Sequence, residues 1–448
     1  MSELKEHSER IMELARTAGA DDAIAEVIDS SVSQIRFSAN RIDASNSWSE
    51  KHAIVFVAIG NRTMSTDLRD LDNAKQVVQE LVSLAKRSPP NKAYGGIASG
   101  KFKYSKGRAD RAIKNLRDPS RYVHDAIAGA RSEGAIDVGG TMYVTHERNG
   151  IASTGGALAE DDRAHIRLSV RAFAQPEASG QTVSCNPRLS SLKARDVGAR
   201  AGEFAKMVEN PVQGEEGKFD LIMEPLFLGC LVQSVGSMMS ALRVDIEQSM
   251  FAKRIGKRVS SDEITFVDDP IMESTSGRSF DHEGVPTRRN VVIKDGVLRT
   301  YLHNTSTAKK FKTRTTASAG PLVPTMFTLA TQPLAFHPVV LPGDWKVEEI
   351  IKDTKNGIYL NNTWYTRYQN YSTGDFSTIP RDALLKIENG EIVGPVKNIR
   401  VSDNMLDLLK SIDAVSKTSQ EVFWWDEANP PATLPMIRAK AMRITRSS

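Results

Sequence analysis

The chain has 448 residues, with 59 basic against 55 acidic side chains, 40% hydrophobic and 25% charged residues, eight histidines and two cysteines. This length gives room for two or three domains with ample core, and the apolar and charged fractions exclude wholesale disorder. The net charge of +4 is too small to mark a nucleic-acid binder, and two cysteines exclude a disulfide scaffold or a four-thiolate zinc ribbon and suit a reducing, intracellular setting.

The opening MSELKEHSERIMELARTAG predicts an amphipathic helix, with Ile11, Met12, Leu14, Ala15 and Ala18 on one face and Gly19 at its end. It lacks the apolar core of a signal peptide. No run approaches the length of a membrane span, so the expected location is the cytoplasm and no membrane partner is expected. Two or three β-branched extended stretches follow between residues 23 and 68. A helix is predicted over 73–87, with Asp72 as N-cap and Pro89-Pro90 forbidding continuation. Residues 1–87 therefore read as a small α+β unit.

Residues 88–108, SPPNKAYGGIASGKFKYSKGR, read as a linker. Seven basic residues and no acidic one lie between Lys86 and Arg108. Such a run reads as a solvated loop more readily than as a phosphate site. A second α+β part is predicted over 109–210. Its first helix opens at Asp118-Pro119 and runs to about Ser132. In HIRLSVRAFAQ, Ile166, Leu168 and Val170 alternate with Arg167, Ser169 and Arg171, which predicts a half-buried antiparallel strand. A further helix spans about 194–208, and Asn210-Pro211-Val212-Gln213-Gly214 marks the domain boundary.

From 211 to 448 the chain reads as one strand-rich domain. KFDLIME predicts a strand, and PLFLGCLVQSVGSMMSALRV a helix with almost no polar face, which belongs in an interior. Asp295-Gly296 and Asn389-Gly390, each between β-branched residues, predict two-residue hairpin turns. The expected fold is α+β: a two-part N-terminal α/β domain, then a strand-rich C-terminal domain with one buried helix. No short repeat is present.

Common catalytic motifs are missing. There is no G-x-G-x-x-G after a strand, no phosphate-binding G-x-x-x-x-G-K-[ST] and no G-x-S-x-G elbow. His146-Glu147 and His282-Glu283 each lack a second histidine at metalloprotease spacing and sit in turn-like contexts, HERNG and DHEGVP. Both read as exposed polar turn residues. Cys230 reads as a small buried hydrophobe; a Cys185–His165 dyad stays open but unfavoured.

SFDHEGVPTRRNVVIKDGVLRTYLHNTSTAKKF, NYSTGDFS and LLKIENGEIVGPVKNIRVSDN together resemble the TldD/PmbA family, once labelled modulators of DNA gyrase and later understood as peptidase components. The resemblance covers nearly the whole chain and is strongest over 279–311 and 373–404. In the catalytic, TldD-like branch it implies H-E-x-x-x-H on the buried helix and a cysteine near the C-terminus. Two imidazoles and a thiolate would then hold zinc with a position left for water. In this chain Gln233, Ser234 and Met238 stand, within one position, where that motif is expected. No histidine occurs between His165 and His282, and no cysteine follows Cys230. The resemblance thus implies the PmbA/TldE branch: a subunit with no catalytic residue, metal ligand or cofactor of its own. It pairs with a TldD-like H-E-x-x-x-H paralogue that carries zinc.

NGIYLNNTWYTRYQNYSTGDFS concentrates Tyr359, Trp364, Tyr365, Tyr368, Tyr371 and Phe376 with Asn361, Asn362, Arg367 and Asn370. Rings and amides in this mixture suit an extended or unfolded peptide, which makes Asn361, Trp364, Tyr365, Arg367, Tyr368 and Tyr371 the candidate substrate-binding residues. The alternative is a strand whose aromatics fill the C-terminal core. Asp281, Arg288 and Arg289 are candidates to line the same interior or to tie down the hairpin. A homodimeric peptide-binding or regulatory protein without a protease partner is the second reading, and a homodimer is also open to the chain when alone. No basic helix face supports a nucleic-acid partner.

Overall fold

A computed structural model describes residues 2–105, 107, 109–321, 332–425 and 427–446. In chain order the N-terminal part runs α1 (Glu3–Thr17), β1 (Asp22–Ser38), β2 (Arg41–Ile59), β3 (Arg62–Leu68), α2 (Ala74–Arg87), α3 (Arg111–Lys114), α4 (Ser120–Ser132), β4 (Asp137–Ser153), β5 (Leu158–Gln175), β6 (Ala178–Asn186) and α5 (Ala194–Met207). Its six strands form one antiparallel sheet in the order β3-β2-β1-β4-β5-β6. Strand β1 pairs with β2 on one side and β4 on the other, so residues before and after the 88–110 segment share a single sheet.

Helices cover this sheet through apolar stripes. Ile11, Val78 and Leu81 of α1 and α2 pack on Ala23, Ala25, Val27, Val55 and Val57. Val123, Ala126, Ala130, Ala201 and Phe204 of α4 and α5 pack on Ile166, Leu168, Val170 and Ala172 of β5. The predicted alternation in β5 is therefore present, and its odd-numbered residues, Arg163 to Arg171, turn to the opposite face. Helices α4 and α5 approach closely enough that a Cβ on Gly198 would overlap the Ala126 carbonyl oxygen. The predicted N-cap Asp72 instead falls in a 3₁₀ turn, Leu71–Asn73, capped by Asp70.

The described residues of the 88–110 segment form no regular strand or helix. Tyr94 donates to Asp22 at 2.6 Å and Tyr104 to the Gly284 carbonyl at 2.8 Å, while Ile97 packs near Phe56 and Phe280. Lys92, Lys101 and Lys103 stay exposed; Lys106 and Arg108 lie outside the described residues.

The C-terminal part comprises β7 (Val212–Gln213), β8 (Gly217–Met223), α6 (Pro225–Met238), α7 (Ala241–Asp245), β9 (Phe266–Asp268), β10 (Asn290–Lys294), β11 (Val297–Leu298), α8 (Thr305–Lys310), β12 (Pro338–Val340), α9 (Val347–Asp353), β13 (Asn356–Asn370), β14 (Asp375–Glu388), β15 (Glu391–Lys397), β16 (Ile399–Asn404), α10 (Met405–Ser411), β17 (Ile412–Trp424) and β18 (Ala428–Arg446). Its strands form a twelve-stranded mixed sheet whose path is β11-β10-β9-β12-β18-β8-β13-β14-β15-β7; β16 bridges β14 and β18, and β17 pairs with β18. The fold is thus the expected α+β arrangement, with a strand-rich C-terminal domain built round one buried helix. Helix α6 is that helix: Leu226, Phe227, Leu231, Val232, Val235 and Met238 are all buried against the sheet.

Both hairpin turns form, with φ of 48° and 78° at Asp295 and Gly296 and 51° and 86° at Asn389 and Gly390. The long apolar helix ends sooner than its composition predicts. At Met239–Ala241 the backbone pairs with Leu302 instead: Leu302 N–H donates to the Met239 carbonyl and Ala241 N–H to the Leu302 carbonyl, both at 2.9 Å. The histidine–glutamate dipeptides also differ from expectation. His146-Glu147 lies within β4 rather than in a turn. His282-Glu283 does occupy a turn, but it is buried rather than exposed: His282 meets Glu26 across the domain junction, and Glu283 accepts from Thr305 within the C-terminal part.

Candidate functional site

The concave face of β5 and the C-terminal domain enclose a cleft of about 740 Å³. Arg167, Ser169, Arg171 and Phe173 of β5 form its floor beside Gly139, Gly140, Thr141 and Tyr143 of β4. The tip of the β1–β2 hairpin supplies Arg36, Phe37 and Asp43. The far wall is Trp364 of β13 with Phe423, Trp424 and Trp425 at the end of β17. Period-2 alternation explains the floor: the residues that hold α4 and α5 are even-numbered, so the odd-numbered arginines must face the cleft.

The arginines are fixed by aromatic rings and a buried acid. Arg167 lies 4.0 Å from the Phe423 ring centroid and 5.2 Å from that of Tyr143. Burial pushes its guanidinium below the usual arginine range, and its Nε has no partner among the described residues. Arg171 Nε donates to Asp382 at 2.6 Å and Nη2 to Ser179 at 3.2 Å, with Trp364 5.4 Å from its guanidinium. Trp364 packs on Trp424 with centroids 5.4 Å apart and planes tilted by 35°, and its indole N–H is buried without a partner among the described residues. Aromatic walls beside guanidiniums suit a ligand that brings apolar surface and carbonyl oxygens together.

The candidate residues from the aromatic block do not converge. Trp364 lines the cleft. Asn361 is 2% exposed and joined to Gln181, and Asn362 bonds Gln181 Oε1 at 2.8 Å and Asp382 at 3.2 Å; both hold the domains together. Tyr365 is exposed, with φ of 60° and Arg367 over its ring. Tyr368 packs against the α6 core, its phenol beside Ser234 and its ring stacked on exposed Tyr371. Tyr359 and Phe376 are core residues. Asp281 is fully buried, accepting N–H bonds from Glu283, Val285 and Ala319; burial and the Glu283 charge raise its carboxyl above the usual carboxylate range. Arg288 donates to the Thr315 carbonyl, and exposed Arg289 lies 3.7 Å from Asp269. Sequence reasoning missed Arg167, Arg171, Tyr143 and the Phe423–Trp425 wall. The strand alternation and the FWW run were the available signals.

The donor set at α6 does not fit zinc. Gln233 and Ser234 are half-buried and Met238 is 1% exposed. Cys230 Sγ points to the Leu226 and Thr363 carbonyls, and burial raises its thiol, opposing the thiolate a metal needs. Glu224, just before the helix, accepts from Tyr359 and lies 3.5 Å from Arg200. Among the described residues no group of three His, Cys, Asp or Glu side chains could hold a metal ion.

Comparison with known proteins places this architecture. Residues 216–446 match the PmbA/TldA metallopeptidase C-terminal domain and residues 109–208 the PmbA/TldA central domain. A metalloprotease of Methanocaldococcus jannaschii is 34% identical over 214 residues, 45% of this chain and 44% of that protein. The metalloprotease TldD homolog of Haemophilus influenzae is 26% identical over 313 residues, 67% of this chain and 64% of that one. The chain thus spans less than half of the first relative and under two thirds of the second. The structure of TldE from Thermococcus kodakarensis superposes with a TM-score of 0.86 at 19% identity, covering 98% of this chain and 99% of that one, a likeness of fold. With more than half of its length in one family domain, this chain belongs to the TldD/PmbA family.

Proposed function

We propose that this chain is the metal-free, PmbA/TldE-like subunit of a two-chain TldD/TldE-type metalloprotease. Its role is to enclose the partner's active site and to receive extended or unfolded peptide in the cleft floored by Arg167 and Arg171. What supports this reading is the chemistry of α6: an apolar helix without histidine, whose Gln233, Ser234 and Met238 stand within one position of where the resemblance puts the catalytic branch's zinc motif. The partner, a TldD-like H-E-x-x-x-H paralogue, would supply zinc, the activated water and the general base. In this chain Arg167 and Arg171 would position peptide carbonyls, while Trp364, Phe423 and Trp424 exclude water from apolar side chains. No helix of the described residues is long and apolar enough to cross a membrane, which is compatible with work in the cytoplasm.

The test is to purify the chain alone and with an H-E-x-x-x-H relative from the same genome. The reading expects no stoichiometric zinc and no peptidase activity in the chain alone, and a stable pair that cleaves unfolded peptides. Stoichiometric zinc with activity in the lone chain would refute it. A lone chain that forms a homodimer, binds peptide and never associates with the relative would favour the regulatory reading.

A further inference from the structure

Strand β5 carries three arginines, Arg163, Arg167 and Arg171, and its period of two puts all of them on the face away from α4 and α5. Two are neutralised. Arg163, which faces a second cavity of about 670 Å³ nearer the start of the strand, is ion-paired with Glu147. Arg171 is ion-paired at 2.6 Å with the buried carboxylate of Asp382, which Ser179 and Asn362 also hold. Arg167, between them, makes no hydrogen bond or ion pair with the described residues.

The groups that could neutralise Arg167 are turned elsewhere. Its cross-strand neighbour on β6, Cys185, is a thiol that burial holds neutral. The acid nearest Phe423 along β17 is Glu421, which accepts from the Thr275 N–H and hydroxyl. At the cleft rim Arg36 and Asp43 are both exposed and opposite in charge. With Arg171 matched by Asp382, the described lining of the cleft carries one cation in excess, and that cation is Arg167.

Its surroundings decide which atoms a ligand can reach. The Phe423 and Tyr143 ring centroids lie 4.0 and 5.2 Å from the guanidinium carbon, so rings rather than acceptors pack on the group. The Nε is closed off by burial, whereas Nη1 and Nη2 are neither bonded nor closed off. Their N–H groups form a planar fork that matches the two oxygens of a carboxylate. A peptide carbonyl brings one uncharged oxygen to the same fork. Hydrogen bonds between charged partners are about twice as strong as neutral ones, and a half-buried cation without a counterion gains from a ligand that supplies it.

We infer that the cleft selects peptides bearing an acidic side chain beside apolar residues, with Arg167 reading the carboxylate and the wall from Phe423 to Trp425 covering its apolar neighbours. The inference rests on the reading of this chain as a peptide binder and narrows the class of peptide from any extended chain to an acidic one.

Calorimetric titration of the full chain with acetyl-Leu-Glu-Leu amide, acetyl-Leu-Gln-Leu amide and acetyl-Leu-Lys-Leu amide tests it, since only the central side chain varies. The glutamate peptide should bind about tenfold tighter than the glutamine peptide, and the lysine peptide should bind most weakly. Added salt should narrow the glutamate-over-glutamine ratio. Arg167→Gln should bring that ratio close to one, and Arg167→Lys should restore part of it; a ratio undiminished in Arg167→Gln would overturn the assignment to Arg167. If neither variant folds, the three probes on the parent chain decide the preference alone. Equal binding of the glutamate and glutamine peptides would overturn the acidic preference while leaving the peptide reading standing; no binding by any of the three would overturn both.

Discussion

Asn361 pairs with Gln181 as a strand residue would: the Gln181 N–H donates to its Oδ1 and its Nδ2 donates to the Gln181 carbonyl, both at 3.0 Å. The side chain of β13 thereby satisfies backbone groups of β6, joining the two domains. Asn361→Leu would leave that buried N–H and carbonyl without partners. The variant should lose about 2–4 kcal/mol of stability, measured by denaturant titration. A loss within 0.5 kcal/mol, about the scatter of a surface change, would contradict this role.

Helices favour alanine over glycine by about 1 kcal/mol, so Gly198→Ala would stabilise α5 on local grounds alone. Contact with α4 reverses the sign, because the new methyl meets the Ala126 carbonyl oxygen. The expected outcome is destabilisation of about 1–3 kcal/mol. A raised thermal midpoint would show that the two helices can separate at little cost.

Burial raises the Glu421 carboxyl from 4.5 to about 7, although the Thr275 N–H, at 2.8 Å, and hydroxyl pull it down. The folded chain then keeps a proton that the unfolded chain has released. The associated stability is fully present below about pH 4.5 and is lost as the pH rises through about 7. Glu421→Gln keeps an acceptor for Thr275 without the titration. Its stability should decline less than the parent's across that window; parallel curves would count against the assignment.

In the cleft, Trp364→Ala removes one ring of the tilted pair with Trp424. Affinity for a blocked extended peptide should fall about fivefold, near 1 kcal/mol of aromatic contact. Tyr371→Ala, outside the cleft lining, should bind the same peptide unchanged. Fluorescence of the remaining tryptophans reports both. Equal losses would place the peptide along the outer aromatic block instead.

Features encoded locally were legible in the sequence. Asp295-Gly296 and Asn389-Gly390 announce positive φ by residue type, and the apolar circumference of α6 requires an interior. The alternation in β5 gave both of its faces. What escaped depends on distant partners. The early end of α6 is set by Leu302, whose backbone competes for Met239 and Ala241. The burial of His282 depends on Glu26, 256 positions earlier. Asn361 reads as a peptide-binding amide until Gln181, 180 positions away, is found to occupy both its polar atoms. The aromatic block, in turn, splits between core, cleft and solvent because β13 alternates while its composition does not.

Strand β5 separates two kinds of constraint onto opposite sides of one backbone. Ile166, Leu168, Val170 and Ala172 answer to α4 and α5, whereas Arg163, Arg167, Ser169 and Arg171 face the two cavities. Substitutions at Arg167 or Ser169 would alter the cleft lining while leaving the helix-packing face intact, whereas Arg163 and Arg171 also neutralise Glu147 and Asp382, so changes there carry a stability cost as well.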